Sequence, residues 1–308
     1  MAKKFIIGID LGGTNLKIAL LDLKYKIRDK EVLSTRRLGN KKGLTTAIVS
    51  AINSIIENNK LSKSNILGVG MGLPGPIDAE RGIVHFFPNI PGFREVNLKN
   101  ILEKKLRMRV FLDNDAKLMA LAEHRLGSAR SFKNVLCLTL GTGVGGGLII
   151  GGRLYRGFNN ASAEVGHIPL NEKGPACNCG GSACLEAYIG NNRITKYARR
   201  LFKRGISLEE LSAKAKNNDT LALRIWHRIG EQLGIALAGV VNLLNLDAIV
   251  IGGGVANAGP VLFDKVSQAL KERAMSVQSK HVKVLQAALG SNAGLIGAAI
   301  AVRERMRP

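Results

Sequence analysis

The feature that most narrows what this chain can fold into is that it starts twice. "FIIGID", "LGGTN" and "LKIALLD", beginning near residue 5, read as strand, glycine turn and strand. "NVLCLTL", "GTGVGGG" and "LIIGGRLY", beginning at residue 134, repeat that order. A chain that repeats its opening unit folds as a duplicated α/β domain, and the copies are expected to face one another across a cleft. With 308 residues there is material for two cores. Helices are expected over Leu44–Asn58, over "AKLMALAEHRLG" ended by Gly127, through most of residues 194–245, and near Ala293–Arg305. "LIIGGRLY" is expected to be one strand.

"LGTGVGGG" contains G-x-G-x-x-G at Gly141, Gly143 and Gly146. A dinucleotide fold needs a helix after that motif. Here a strand-like run follows, so that fold is rejected. Two readings of "DLGGT" and "LGTGVGGG" remain: ordinary β-turns, or paired hairpins whose glycine backbones approach phosphate oxygens. In the second, Thr14 and Thr142 add hydroxyls, and Asp10 suits Mg²⁺, which prefers carboxylate, water and phosphate oxygens. A third strand-to-glycine junction at Gly252–Gly254 favours nucleotide binding.

"LDNDAK" ends an apolar strand where a helix begins. Asp115 near a helix N-terminus can stay ionised and act as a base on a hydroxyl. Alternatively, Asn114 and Asp115 merely cap the helix. In "HIPLNEKGPACNCGGSACLE", His167, Cys177, Cys179 and Cys184 supply the donors of a closed, structural Cys₃His zinc site. Glu164 and Glu186 flank these ligands and can accept from substrate hydroxyls, and His167 can present its second ring nitrogen. Cys137 sits in an apolar strand and reads as core.

No start resembling a signal peptide is present, because the apolar run of "MAKKFIIGID" is short and ends in aspartate. "LGIALAGVVNLLNLDAIVIGGGVA" is interrupted by asparagines, an aspartate and glycines, so it reads as a buried helix and strand and not a membrane span. A cytoplasmic location is expected, with reduced thiols. Net charge is +22, from 45 Lys plus Arg against 23 Asp plus Glu, and the basic residues are scattered, with one concentration in "NNRITKYARRLFKRG". No nucleic-acid-binding motif accompanies it, so it reads as a solvated basic face, with non-specific polyanion binding left open.

Taken together, "DLGGT", "GLPGP", "NIPGF", "NDA", "LGTGVGGG", "AEVGH", "CNCGGSACLE" and "IGGGV" make the chain resemble the ROK family of sugar kinases and repressors, from about Phe5 to the last helix. The resemblance implies duplicated actin-like ATPase (ribonuclease H-like) domains: a small one of residues 1–117 plus 293–308, and a large one of 118–292 carrying the zinc loop. It implies an ATP- and Mg²⁺-dependent hexose kinase, glucokinase first, with Asp115 as general base. Gly72, Asn89, Asn114, Glu164, His167 and Glu186 would surround the sugar. Gly12, Gly13, Thr14, Gly141, Thr142 and Gly143 would bind phosphates, and Gly253 and Gly254 the adenosine. A homodimer or higher homo-oligomer is implied, with no specific nucleic-acid partner and no membrane. The alternatives are a kinase for N-acetylmannosamine or N-acetylglucosamine, another phosphoryl donor such as polyphosphate, and a sugar-responsive repressor. Family repressors carry an extra N-terminal DNA-binding domain, for which a phosphate motif by residue 10 leaves no expected room. Three departures stand out: Ala163 and Ala183 replace usual glycines, and Lys117 replaces a frequent asparagine. The alanines are expected to alter the loop backbone while keeping the ligands.

Overall fold

The unbroken apolar runs become the central strands of two five-stranded sheets. The structure, a computed structural model, describes residues 4–87, 90 and 92–306. Its residues group into two compact units: Met1–Ala122 with Arg156–Ser162 and Ser291–Pro308, and Glu123–Tyr155 with Ala163–Gly290.

In the first unit, β1 (Phe5–Leu11), β2 (Asn15–Asp22) and β3 (Ile27–Ser34) form an antiparallel meander. Helix α1 (Lys41–Asn58) starts three residues before the expected Leu44 because the Asn40 side chain accepts from Gly43 N and caps it. Strand β4 (Ile66–Leu73) then lies parallel to β1. A small antiparallel sheet of β5 (Ile77–Asp78), β6 (Ile83–Phe86) and β7 (Arg94–Asn97) precedes α2 (Leu98–Leu106). Strand β8 (Val110–Asn114) pairs parallel with β4 and runs directly into α3 (Asp115–Leu126). The strand order is β3-β2-β1-β4-β8.

The second unit repeats this plan. Strands β9 (Val135–Leu140), β10 (Val144–Ile150) and β11 (Arg153–Tyr155) form its meander. The expected single strand "LIIGGRLY" is a hairpin: Gly151 and Gly152 hold φ +57° and +77°, and Ile150 pairs with Arg153. Two successive positive φ values match the twist of a two-residue hairpin turn, and glycine supplies them without penalty. There follow α4 (Glu186–Ile189), α5 (Asn191–Phe202), α6 (Leu208–Lys216), α7 (Thr220–Leu244), β12 (Ala248–Gly252), α8 (Pro260–Arg273), α9 (Ser276–Ser279) and β13 (Lys283–Gln286). The order β11-β10-β9-β12-β13, with β9–β12 and β12–β13 parallel, matches the first sheet strand for strand. The duplication expected from the sequence is thus present in the backbone.

The last helix, α10 (Ala293–Arg305), returns to the first unit. It packs on one face of the first sheet, where Ile6, Ala19 and Leu21 meet Leu295, Ala299 and Val302. Ile7, Ile9 and Leu11 turn to the opposite face, with Ile48, Ile52 and Ile55 of α1. Each such fully buried aliphatic side chain contributes about 1.5–3 kcal/mol. The fit of α10 depends on missing side chains: a Cβ on Gly70 in β4 would come within 2.1 Å of the Ala298 carbonyl oxygen. No described helix is long and apolar enough to cross a membrane.

Candidate active site

In the first unit, strand pairing lines up three positions in one row. Asp10 of β1 is opposite Gly72 of β4, and Gly72 is opposite Asp113 of β8. This row lies at the carboxyl ends of parallel strands, where open α/β sheets bind their ligands. Asn114 and Asp115 follow at once. Asn114 Oδ1 accepts from the backbone N–H groups of Ala116 and Lys117, at 3.1 and 3.2 Å, and caps the helix. Asp115 Oδ1 also accepts from Ala116 N, at 2.8 Å. Asp115, the first residue of α3, places its carboxylate at the end where the helix dipole favours negative charge. Gly72 keeps room beside it: a Cβ there would lie 3.5 Å from Asp115 Cα. Asp113, adjacent to both, is 3% exposed and is engaged by Arg156.

Burial raises the pKa of the Asp10 carboxyl, and Lys17, opposite it on β2 and 3.5 Å away, pulls the other way. A Cβ on Gly294 would lie 2.6 Å from Asp10 Cγ, so this glycine at the start of α10 makes room for the carboxylate. Sequence reasoning singled out neither Lys17 nor Gly294. The Gly12–Thr14 turn is closed by Gly12 N donating to Asn15 O at 2.8 Å and is braced by the Thr35 hydroxyl on Gly12 O at 2.9 Å. Gly13 and Thr14 are exposed. Neither Gly12 nor Gly13 has positive φ, so what they contribute is a bare backbone and not an unusual dihedral. Asn89 lies outside the described residues.

In the second unit the equivalent turn, Gly141–Gly143, also lacks positive φ. Gly141 has open space where a Cβ would stand, whereas a Cβ on Gly143 would come within 2.4 Å of Glu186 Oε2. That oxygen accepts from Val144 N at 2.8 Å. Glu186 is thus partly committed to bracing the turn, which leaves its other carboxylate oxygen for a hydroxyl. Asn191 N donates to Gly141 O at 2.9 Å, tying the start of α5 to the same turn. Gly253 holds φ +86°, with its Cβ position 2.3 Å from Leu140 O, so no other residue fits there. Gly254 helps line a cavity of about 230 Å³ with Leu208, Ser212, Lys216 and Asn257. Beside it, Asn191 Oδ1 is buried with no hydrogen-bond partner among the described residues. A nucleotide's amino and hydroxyl groups are the donors such an orphaned acceptor needs.

The four predicted metal ligands come together. One donor atom from each of His167, Cys177, Cys179 and Cys184 lies within 4.8 Å of all the others. Cys177 Sγ is 3.6 Å from His167 Nδ1, and Cys179 Sγ is 3.8 Å from Cys184 Sγ. Zinc bonds of about 2.3 Å to sulfur and about 2.0–2.1 Å to nitrogen give tetrahedral edges of roughly 3.8 Å for S···S and roughly 3.6 Å for S···N. The spacing therefore fits zinc. The Gly181 N–H beside Cys179 lowers the pKa of that thiol, whereas burial pushes that of Cys184 up to about 12. His167 faces the thiols with Nδ1, which leaves Nε2 on the other side of the ring. Cys137, fully buried in β9, has its thiol pKa pushed up by burial and stands apart as core.

Glu164 and His167 are set by two close approaches. A Cβ on Gly146 would strike the Ala163 carbonyl oxygen at 2.1 Å, and one on Gly166 would strike that of Val144 at 2.3 Å. Ala163 and Ala183 hold φ +66° and +57°. The expectation of an altered backbone is corrected accordingly: both alanines take the left-handed conformation that glycine adopts freely, at a cost of about 1–2 kcal/mol each.

Two copies of one sheet, each opening on a bare glycine turn after its first strand, define an actin-like ATPase fold. A model of the ROK family matches residues 6–305. The chain is 34% identical over 99% of its length to a glucokinase of Halalkalibacterium halodurans, covering 97% of that protein. It is 29% identical over 95% of its length to the xylose repressor of Bacillus subtilis, covering 75% of that protein. A ROK family glucokinase from Streptomyces griseus, solved with glucose and AMPPNP, superposes with a TM-score of 0.85 at 30% identity, covering 97% of this chain and 99% of that one. This chain belongs to the ROK family.

Proposed function

We propose that this protein is an ATP-dependent hexose kinase, a glucokinase that phosphorylates the 6-hydroxyl of glucose, with Asp115 as general base. The observation that carries the reading is the place of Asp115 as the first residue of α3, directly after the row Asp10–Gly72–Asp113 at the carboxyl ends of the strands, where a carboxylate can serve a substrate hydroxyl. Full-length similarity to glucokinases supports the substrate. Asn89, Asn114, Glu164, His167 and Glu186 would hold the remaining hydroxyls, with Gly72 leaving space. The turns Gly12–Thr14 and Gly141–Gly143, closed by the Gly12 and Gly141 N–H groups on Asn15 O and Gly143 O, would bring the Gly13 and Gly143 amides and the Thr14 and Thr142 hydroxyls to phosphate oxygens. Gly253, Gly254 and the neighbouring cavity, with Asn191, suit the adenosine.

Asp10 is the proposed Mg²⁺ ligand, direct or through water: its carboxyl is raised by burial despite Lys17 and Lys30 nearby, and a bound cation would favour its ionised form. When bound, the metal supplies charge neutralisation at the phosphates. Zinc at His167 and the three cysteines is proposed as structural, holding the loop that carries Glu164 and Glu186. The functional halves proposed are residues 1–117 with 293–308, and 118–292. A cytoplasmic, glycolytic homodimer or higher homo-oligomer is part of the same reading.

The test is ADP release with Mg-ATP over glucose, mannose, fructose, N-acetylglucosamine and N-acetylmannosamine. Glucose is expected to be preferred, and Asp115→Asn is expected to lower kcat by about 10²–10⁴ without unfolding the protein. Near-wild-type turnover in that variant would remove Asp115 from its role. The second reading is a sugar-responsive repressor, favoured by the xylose repressor similarity. Its signature is sugar-sensitive DNA binding at physiological salt with no sugar turnover.

A further inference from the structure

Lys117 breaks two rules at once. It is 2% exposed, where lysine is almost never found unless paired. It also lies in the first turn of α3, where the helix dipole disfavours a cation. Its ammonium donates to the carbonyl oxygen of Asn160, a residue held at φ +61°. The same segment is fixed a second time by Arg156, whose Nε and Nη2 lie 3.2 and 2.7 Å from Asp113 Oδ2. Arg305 faces that carboxylate oxygen from α10 at 3.8 Å. These two attachments account for why Arg156–Ser162 groups with the first unit although the residues on either side of it group with the second. The points of attachment, Asp113 and Lys117, bracket Asp115 at two residues on either side. Helical side chains lean toward the helix N-terminus, so the Lys117 stem runs back toward the turn that Asp115 opens.

The geometry points to Lys117 as a positioning residue: with the Arg156–Asp113 pair it fastens the 156–162 segment to the start of α3, and this fastening sets the affinity for the acceptor sugar. The inference rests on the kinase reading for its link to sugar, since the segment leads in sequence to Glu164. The fastening itself rests on geometry alone. A buried cation in the wrong half of a helix dipole is a poor choice for stability, and poor local choices of this kind mark functional positions.

The test uses the full chain and two variants. Lys117→Met keeps the length and apolar bulk of the stem and removes the donor. Lys117→Arg keeps a donor and a charge. Lys117→Met is expected to raise KM for the hexose about tenfold while kcat stays within about twofold, the signature of lost binding that is equal in ground and transition states. Amide exchange across residues 157–163 is expected to accelerate, and Lys117→Arg is expected to restore both. The inference is overturned if exchange and KM are unchanged in Lys117→Met, or if kcat falls at constant KM. It is also overturned if both variants lose KM in proportion to a lowered melting point. If the wild-type protein turns over no sugar, the kinase reading fails by itself, and amide exchange still decides the fastening.

Discussion

Glu123 offers the sharpest stability test. It is fully buried in the last turns of α3, at 0% exposure. Its Oε2 accepts from Ser128 N at 2.9 Å and Ala288 N at 3.1 Å, and its Oε1 from Leu289 N at 2.8 Å. One carboxylate thus holds the end of its own helix and the segment after β13. Glu123→Gln preserves the shape and removes the charge. The new carbonyl oxygen can satisfy two of the amides, while the new NH₂ faces the third, whose unsatisfied donor costs about 1–3 kcal/mol. The two surviving bonds weaken from charge-assisted to neutral strength, a loss of about 1 kcal/mol each. Burying an amide in place of a carboxylate returns part of this sum. The net expectation is about 2–4 kcal/mol of destabilisation, or a fall in melting midpoint on the order of 5–10 °C. Scanning calorimetry reads the midpoint, and amide exchange at residues 128, 288 and 289 shows where the loss arises. A midpoint that stays put, or rises, would show that the desolvation of the carboxylate cancels its three bonds and would refute the reasoning.

Further outcomes follow from other sites. Protein purified without added metal is expected to hold one zinc per chain by elemental analysis, and chelation is expected to lower its melting point; free zinc at a thousand times Kd stabilises a folded site by about 4 kcal/mol. Absence of zinc, or chelation without thermal effect, rules the metal out. Ala163→Gly and Ala183→Gly are each expected to stabilise by about 0.5–1 kcal/mol, the relieved left-handed strain less the added flexibility of the unfolded chain; destabilisation in both denies the strain. Asp219 caps α7, and the Ala222 N–H it accepts, together with Lys214, holds its carboxyl below the ordinary value of 3.8. Its contribution is complete above that value and is lost as pH falls through the lower folded value. Asp219→Asn should therefore lower stability somewhat at neutral pH and flatten the acid limb, the two curves converging at low pH; identical acid limbs would contradict this.

Much of the fold was legible because its signals are local. The two strand–turn–strand openings are continuous apolar runs punctuated by glycine, and the range Ala293–Arg305 of the last helix follows from residues adjacent in sequence. The cluster of His167, Cys177, Cys179 and Cys184 was legible for the same reason: its members occupy a short stretch, and few other roles suit that donor set. The short strands β5–β7 and β13 were missed, being too short to show a period, and β3 was missed because its sequence, IRDKEVLS, is largely charged and polar.

What the sequence determined by itself is the repeat, the strand–turn–strand openings with several of the strands and helices after them, and the chemistry available at each glycine turn, since all of these follow from residue type and spacing along the chain. Tertiary structure alone decided which charges are buried and whom they serve. In the sequence Glu123 and Lys117 are ordinary helix residues with no sign of burial. Glu123 is a bridge only because Ala288 and Leu289 come back to it. Lys117 is a tether only because Asn160 does. Only the structure also shows that Asn114 caps α3 through two amides and that Ala163 and Ala183 are left-handed. The physical reason is common to all of these: hydrogen-bond partners and backbone dihedrals are selected by groups brought near in space, and a buried polar atom takes its role from whichever partner satisfies it.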